Sequence, residues 1–187
     1  MDIHENTTHV PFEGVLSGYI PTDRDCFNYW DKFSVLKRIR KHSLLVTELA
    51  TDITQKAQNL GWQVNIQAVR AAALLHDLAK TYTLQYGGDH CQLGAAWVMQ
   101  LTSNTAIAQG IIHHLYWPGT LDLKSHYLPL ILIYADKRVK HDQVVSVQER
   151  FEDLFERYGK SSSHRAIIER SQEQIENIEK LIQEQLG

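Results

Sequence analysis

From Ser34 onward, Leu36, Ile39, His42, Val46, Leu49 and Ile53 recur at steps of three and four, the spacing that sets side chains on one face of an α-helix. The same period returns in most later segments, while the two-residue alternation of a half-buried strand is nearly absent. Such a chain must bury helix stripes against one another, so the expected fold class is all-α, a helical bundle. Its 187 residues suffice for one compact core domain with a peripheral element at each end.

Residues 1–33 read as an irregular N-terminal arm, because Pro11, Gly14, Gly18 and Pro21 interrupt any regular period. Residues 34–158 form the expected core domain. Residues 159–187 are a C-terminal amphipathic helix, set off by Gly159 and Ser161 to Ser163, with Ile168, Ile175, Ile178 and Ile182 along one stripe. Within the core, Gly61 ends the first helix and Asn65 caps IQAVRAAALLHDLAK, which closes on His76 and Asp77. The stretch TYTLQYGGD reads as a loop, His90 opens a further helix, and Asn104 caps TAIAQGIIHHLY. By period alone YLPLILIYADKRV is either a buried strand or a buried helix, and its helical surroundings favour helix.

A formal charge of -3 provides no global field for a polyanion, so nonspecific nucleic-acid binding is not expected. The start, MDIHENTTHVPFEG, lacks the basic flank and apolar run of a signal peptide, and no apolar stretch reaches bilayer length. A cytoplasmic protein without membrane partners is the expectation. Cys26 and Cys91 lie outside any C-x-x-C pattern and read as reduced thiols. The ten histidines are the unusual feature, since imidazole is the commonest metal ligand and a frequent acid or base.

His42 occupies a polar gap in an apolar helix face, so its ring points inward. Alone, it is as readily a core histidine bonded to a carbonyl. His76 and Asp77 follow the small apolar run AAALL, and Asp136 follows ILIYA, so each carboxylate stands where burial is costly unless neutralised. A salt bridge or a cap would neutralise one such site; a metal ion explains all three together. Imidazole plus carboxylate suits iron, manganese, cobalt, nickel, zinc or magnesium. An ion of this kind activates water and offsets phosphoryl charge, the chemistry for cleaving phosphate esters or anhydrides. His90 and the His113–His114 pair add donors for a second position, His114 as ligand and His113 either supporting a ligand from behind or facing substrate. Lys80, three residues beyond Asp77, is either a phosphate contact or a solvated lysine at a helix end. Lys137 and Arg138 offer a further anion contact. Tyr82, Tyr86, Tyr116 and Trp117 are placed to line a pocket, with base stacking the weaker reading.

The order His42, His76-Asp77 with Lys80, then Asp136 resembles the HD-domain metal-dependent phosphohydrolase superfamily over roughly residues 35–140. HSLLV, LLHDLAK, His90 before QLGA, IIHH and YAD look like the bacterial HD hydrolases that split symmetrical diadenosine tetraphosphate. Leu115 stands where that group usually has threonine, the loop from Lys80 to His90 is short, and no proline follows YADK. The resemblance implies a helical HD domain and ligation of one or two divalent or ferric ions by His42, His76, Asp77 and Asp136, with His90 and His114 at the second ion. It further implies Asp77 and Lys80 as the catalytic pair and a small-molecule nucleotide or dinucleoside polyphosphate as substrate. Two rivals stand beside it: a one-metal nucleoside monophosphate phosphatase, and a non-catalytic nucleotide-binding HD module. The final helix covers the core or makes a homodimer.

Overall fold

The structure is a computed structural model and describes residues 18–187. Nine helices and one two-residue-per-strand hairpin make up the regular structure of the described residues, and the all-α expectation holds. Helix α1 (Asp23–Lys32) starts at a capping box in which Thr22 and Asp25 satisfy each other's backbone amides. It buries Cys26 and Trp30, whose Nε1 donates to the Leu74 carbonyl at 2.8 Å. This corrects the irregular reading of residues 23–32: Pro21 precedes the cap and so interrupts nothing. Pro11 and Gly14 lie outside the described residues.

Helix α2 (Lys37–Asn59) buries Ile39, Val46, Ala50 and Ile53, and its buried Thr47 and Thr54 hydroxyls donate to the Ser43 and Ala50 carbonyls. Asn65 caps α3 (Ile66–Leu75) by accepting from the Ala68 amide. Seven of the ten α3 residues are buried, and its alanines let α2 pack closely alongside. After Leu75 the chain turns through His76 to Ala79 and enters α4 (Lys80–Tyr86). The loop expected over this stretch shrinks to Gly87 and Gly88, both at positive φ. Thr81, Tyr82, Thr83 and Tyr86 are poor helix formers and disguised the helix.

Asp89 caps α5 (His90–Thr102) through the Cys91 and Gln92 amides, and Asn104 caps α6 (Thr105–Ile112). YLPLILIYADK is helix α7 (Tyr127–Lys137), buried on nearly every side. A hairpin of β1 (Val139–Lys140) and β2 (Gln143–Val144) leads to α8 (Val147–Tyr158) and α9 (Ser162–Leu186), capped by Ser146 and Ser161. Ile175 and Ile178 of α9 are fully buried and join the common core, with α9 packed on α7. Gln174 clamps the Trp117 backbone by accepting from its amide at 2.9 Å and donating to its carbonyl at 2.8 Å. Among the described residues, no helix is long and apolar enough to cross a membrane.

Candidate metal centre

The turn after α3 puts two chemically loaded residues at the centre of the bundle. His76 and Asp77 are 0% and 2% exposed. His42 projects from α2, Asp136 from the last turn of α7, His114 from just beyond α6 and His90 from the first turn of α5. His42 Nε2 lies 2.8 Å from Asp136 Oδ1, and His76 Nε2 lies 3.6 Å from the same oxygen and 3.5 Å from Asp77 Oδ2. On the other side, Asp77 Oδ1 lies 3.4 Å from His90 Nε2 and 3.7 Å from His114 Nε2. The structure thus gathers six residues spread over 95 positions of chain into one cluster around Asp77 and Asp136.

Ring orientation is fixed from behind. His76 Nδ1 donates to the Ala73 carbonyl and His114 Nδ1 to the Ile111 carbonyl, each at 2.7 Å. This turns the Nε2 atoms of both rings toward carboxylate oxygens. Two of the facing atoms, His76 Nε2 and Asp77 Oδ1, are buried and have no hydrogen-bond partner. Burial lowers the His76 pKa, but Asp77 and Asp136 outweigh it and raise it, so a proton can supply the positive charge these buried carboxylates and imidazoles need, and a metal ion can take that proton's place. Three overlapping donor sets have the spacing of ligands to one ion: His42, His76 and Asp136; His76, Asp77 and His114; His90, Cys91 and His114.

The Oδ2 oxygen of each carboxylate is held by a lysine. Lys80 Nζ donates to Asp77 Oδ2 at 2.7 Å and Lys137 Nζ to Asp136 Oδ2 at 2.6 Å. Burial pushes both carboxyls up, but the charges of His76 and Lys80 around Asp77, and of Lys137 and His42 around Asp136, outweigh it and hold both well below the ordinary range. Burial, aided by the neighbouring His76, lowers His114 to about 3, so its ring stays neutral, the form that ligates. Burial also lowers His90.

The cluster opens into a cleft of about 830 Å³ whose walls include Arg38 and Lys41 from α2, His141 from the hairpin, Arg150 and Arg157 from α8, and His164, Ile167 and Ile168 from α9. The sequence marks Ile168 only as part of an apolar stripe and gives no sign of Arg150, Arg157 or His164, because a polar residue on an amphipathic helix carries no signal of what it faces. Cys91, a free thiol as expected, has its Sγ 3.8 Å from His90 Nε2.

Three expectations fail on geometry. His113 turns away from the cleft onto Trp117, ring centroids 5.4 Å apart, because adjacent side chains at a helix end diverge. Arg138 is tied to Glu179, Tyr134 and the Val145 carbonyl and contributes nothing to the cleft wall. The four aromatics do not line the cleft together: Tyr82 packs tilted against Tyr86 and edge-on to Trp97, Trp117 donates to the Thr120 carbonyl, and Tyr116 borders a smaller pocket between α8 and α9.

A helical bundle with a buried histidine–carboxylate cluster at the foot of a basic cleft defines a class of metal-binding α-helical proteins. The HD domain model matches residues 39–173, and this chain belongs to the HD domain family. Proteins of this family are in general metal-dependent hydrolases. The match runs from α2 into α9, so the final helix is partly included. The chain is also similar to an uncharacterized protein of Methanocaldococcus jannaschii, 28% identical over 132 residues, which span 61% of this chain and 77% of that protein. No solved structure matches the chain.

Proposed function

We propose that this protein is a metal-dependent phosphohydrolase that cleaves a phosphate ester or anhydride of a nucleotide or dinucleoside polyphosphate. The observation that carries the reading is the pair of buried atoms without a hydrogen-bond partner, His76 Nε2 and Asp77 Oδ1, among His42, His90, His114 and Asp136. His42, His76, Asp77 and Asp136 would hold one ion, and His90 and His114 a second, with Asp77 between the two. When bound, such ions supply Lewis acidity that activates water at neutral pH and offsets phosphoryl charge.

The chain's own groups do the rest. Lys80 holds Asp77 Oδ2 and leaves Oδ1 to His90 and His114, and Lys137 holds Asp136 Oδ2 and leaves Oδ1 to His42 and His76. Both line the cleft, where their ammonium groups stand ready as point charges for phosphate. Arg38, Lys41 and Arg157 extend positive charge along the walls, on a chain whose formal charge is -3. That local field draws an anionic small molecule without favouring nonspecific nucleic acid.

Phosphate release from nucleoside monophosphates, nucleoside triphosphates and dinucleoside polyphosphates, each with several divalent ions, tests this reading. Turnover of an anhydride that is lost in both His90→Ala and His114→Ala supports two ions. Monophosphate turnover untouched by either change selects the one-ion phosphatase, and no release under any condition leaves a binding module.

A further inference from the structure

Cys91 stands inside the donor cluster and has no part in the function proposed above. It is 4% exposed, and its thiol shares with His90 and His114 a set of donor atoms all within 4.8 Å of one another. Its backbone amide is accounted for by the Asp89 cap, which says nothing of the sulfur. A buried thiol ordinarily packs as a small hydrophobe. Here its sulfur lies 3.8 Å from His90 Nε2, and that ring and His114 both face Asp77 Oδ1, which is buried and has no hydrogen-bond partner.

The spacing can be compared with a coordination shell. Tetrahedral bonds of about 2.0–2.1 Å to nitrogen or oxygen and about 2.3 Å to sulfur separate the donors by roughly 3.3 Å, N to N or N to O, and roughly 3.6 Å, N to S. The observed separations are 3.3 Å between the His90 and His114 Nε2 atoms, 3.4 and 3.7 Å from these to Asp77 Oδ1, and 3.8 Å from His90 Nε2 to Cys91 Sγ. These four separations match such a shell to within about 0.4 Å, and the Cys91 sulfur also lies within 4.8 Å of the His114 ring nitrogen.

We propose that Cys91 is the fourth protein ligand, as a thiolate, of the ion position made by His90, His114 and Asp77. The inference rests on the two-ion reading of the centre. On binding, the sulfur–hydrogen bond is replaced by a sulfur–metal bond and the proton leaves to solvent. A soft donor biases this position toward zinc, cobalt or ferrous iron over magnesium. The His42, His76 and Asp136 position, without sulfur, keeps a harder donor set.

Anaerobic titration of the metal-stripped full chain with cobalt(II), followed by absorption and elemental analysis, tests the assignment. Expected is a sulfur-to-cobalt charge-transfer band in the near ultraviolet, retained in Cys26→Ser and lost in Cys91→Ser. About two bound ions without that band, or with a band that Cys91→Ser leaves intact, overturn the Cys91 ligand and spare the two-ion reading. Absence of bound cobalt overturns both. Should Cys91→Ser fail to fold, the Cys26→Ser protein decides: a band retained there comes from Cys91, the other of the two cysteines, and a band lost there overturns the assignment.

Discussion

The Lys80 ammonium donates to Asp77 Oδ2 at 2.7 Å, and this leaves Asp77 Oδ1 to face His90 at 3.4 Å and His114 at 3.7 Å. One carboxylate is thus divided between a fixed cation and a cluster of imidazoles. Lys80 sits at the first position of α4, and the three-residue step from Asp77 brings the two together. Burial works against the lysine's charge, yet Asp77 and Asp136 raise its pKa, so it stays charged.

Replacing Lys80 by methionine keeps much of the stem's packing and removes the charge. Turnover is expected to fall by about 10- to 100-fold, the usual effect of losing a group that orients a ligand. Steady-state phosphate release with metal saturating checks this, and an unchanged kcat/KM would remove Lys80 from the site.

Away from the centre, Asp23 of α1 pairs with Arg70 of α3, and this bond, against a smaller effect of burial, lowers the Asp23 pKa. A folded-state pKa below the unfolded value of about 3.9 means that the unfolded chain binds the proton more readily. The stabilisation is therefore full above about pH 5 and is lost as pH falls through the lowered folded value. Asp23→Asn should cost about 1 kcal/mol at pH 7, the upper end for a pair this exposed. Thermal melts from pH 7 to 3 should show the two proteins converging as the pH falls, and a constant gap would contradict the pairing.

Ile178 of α9 is fully buried with Ile175 in the same core as α7, the helix that carries Asp136. Truncation to alanine should cost about 2–5 kcal/mol. Denaturant unfolding measures it; a loss below about 0.5 kcal/mol, the range of surface changes, would make α9 a peripheral strut.

The all-α class and the polar centre were legible in the sequence for one reason. His42, His76, Asp77 and Asp136 each interrupt a stretch that the helical period or an apolar run marks as interior. What stayed hidden depends on direction rather than period. His113 and His114 are neighbours in sequence, and only the turn after α6 decides that His114 faces Asp77 while His113 meets Trp117. Arg138 looked like a cleft residue beside Asp136, but its partner Glu179 comes from α9, 41 residues on. Helix α4 was masked by weak helix formers, and α1 by prolines and glycines that precede its cap. Cys91 gave no signal because a thiol next to one histidine matches no ligand spacing until α6 brings His114 alongside.

Metal content of the purified chain, measured by elemental analysis together with phosphate release from a nucleotide panel, tests the central claim most directly when wild type is set beside Asp77→Ala and Asp77→Asn. About two ions per wild-type chain, fewer in both folded variants, and cleavage lost with the ions is the predicted result. Wild-type protein that binds no divalent ion and releases no phosphate with any added metal would contradict it.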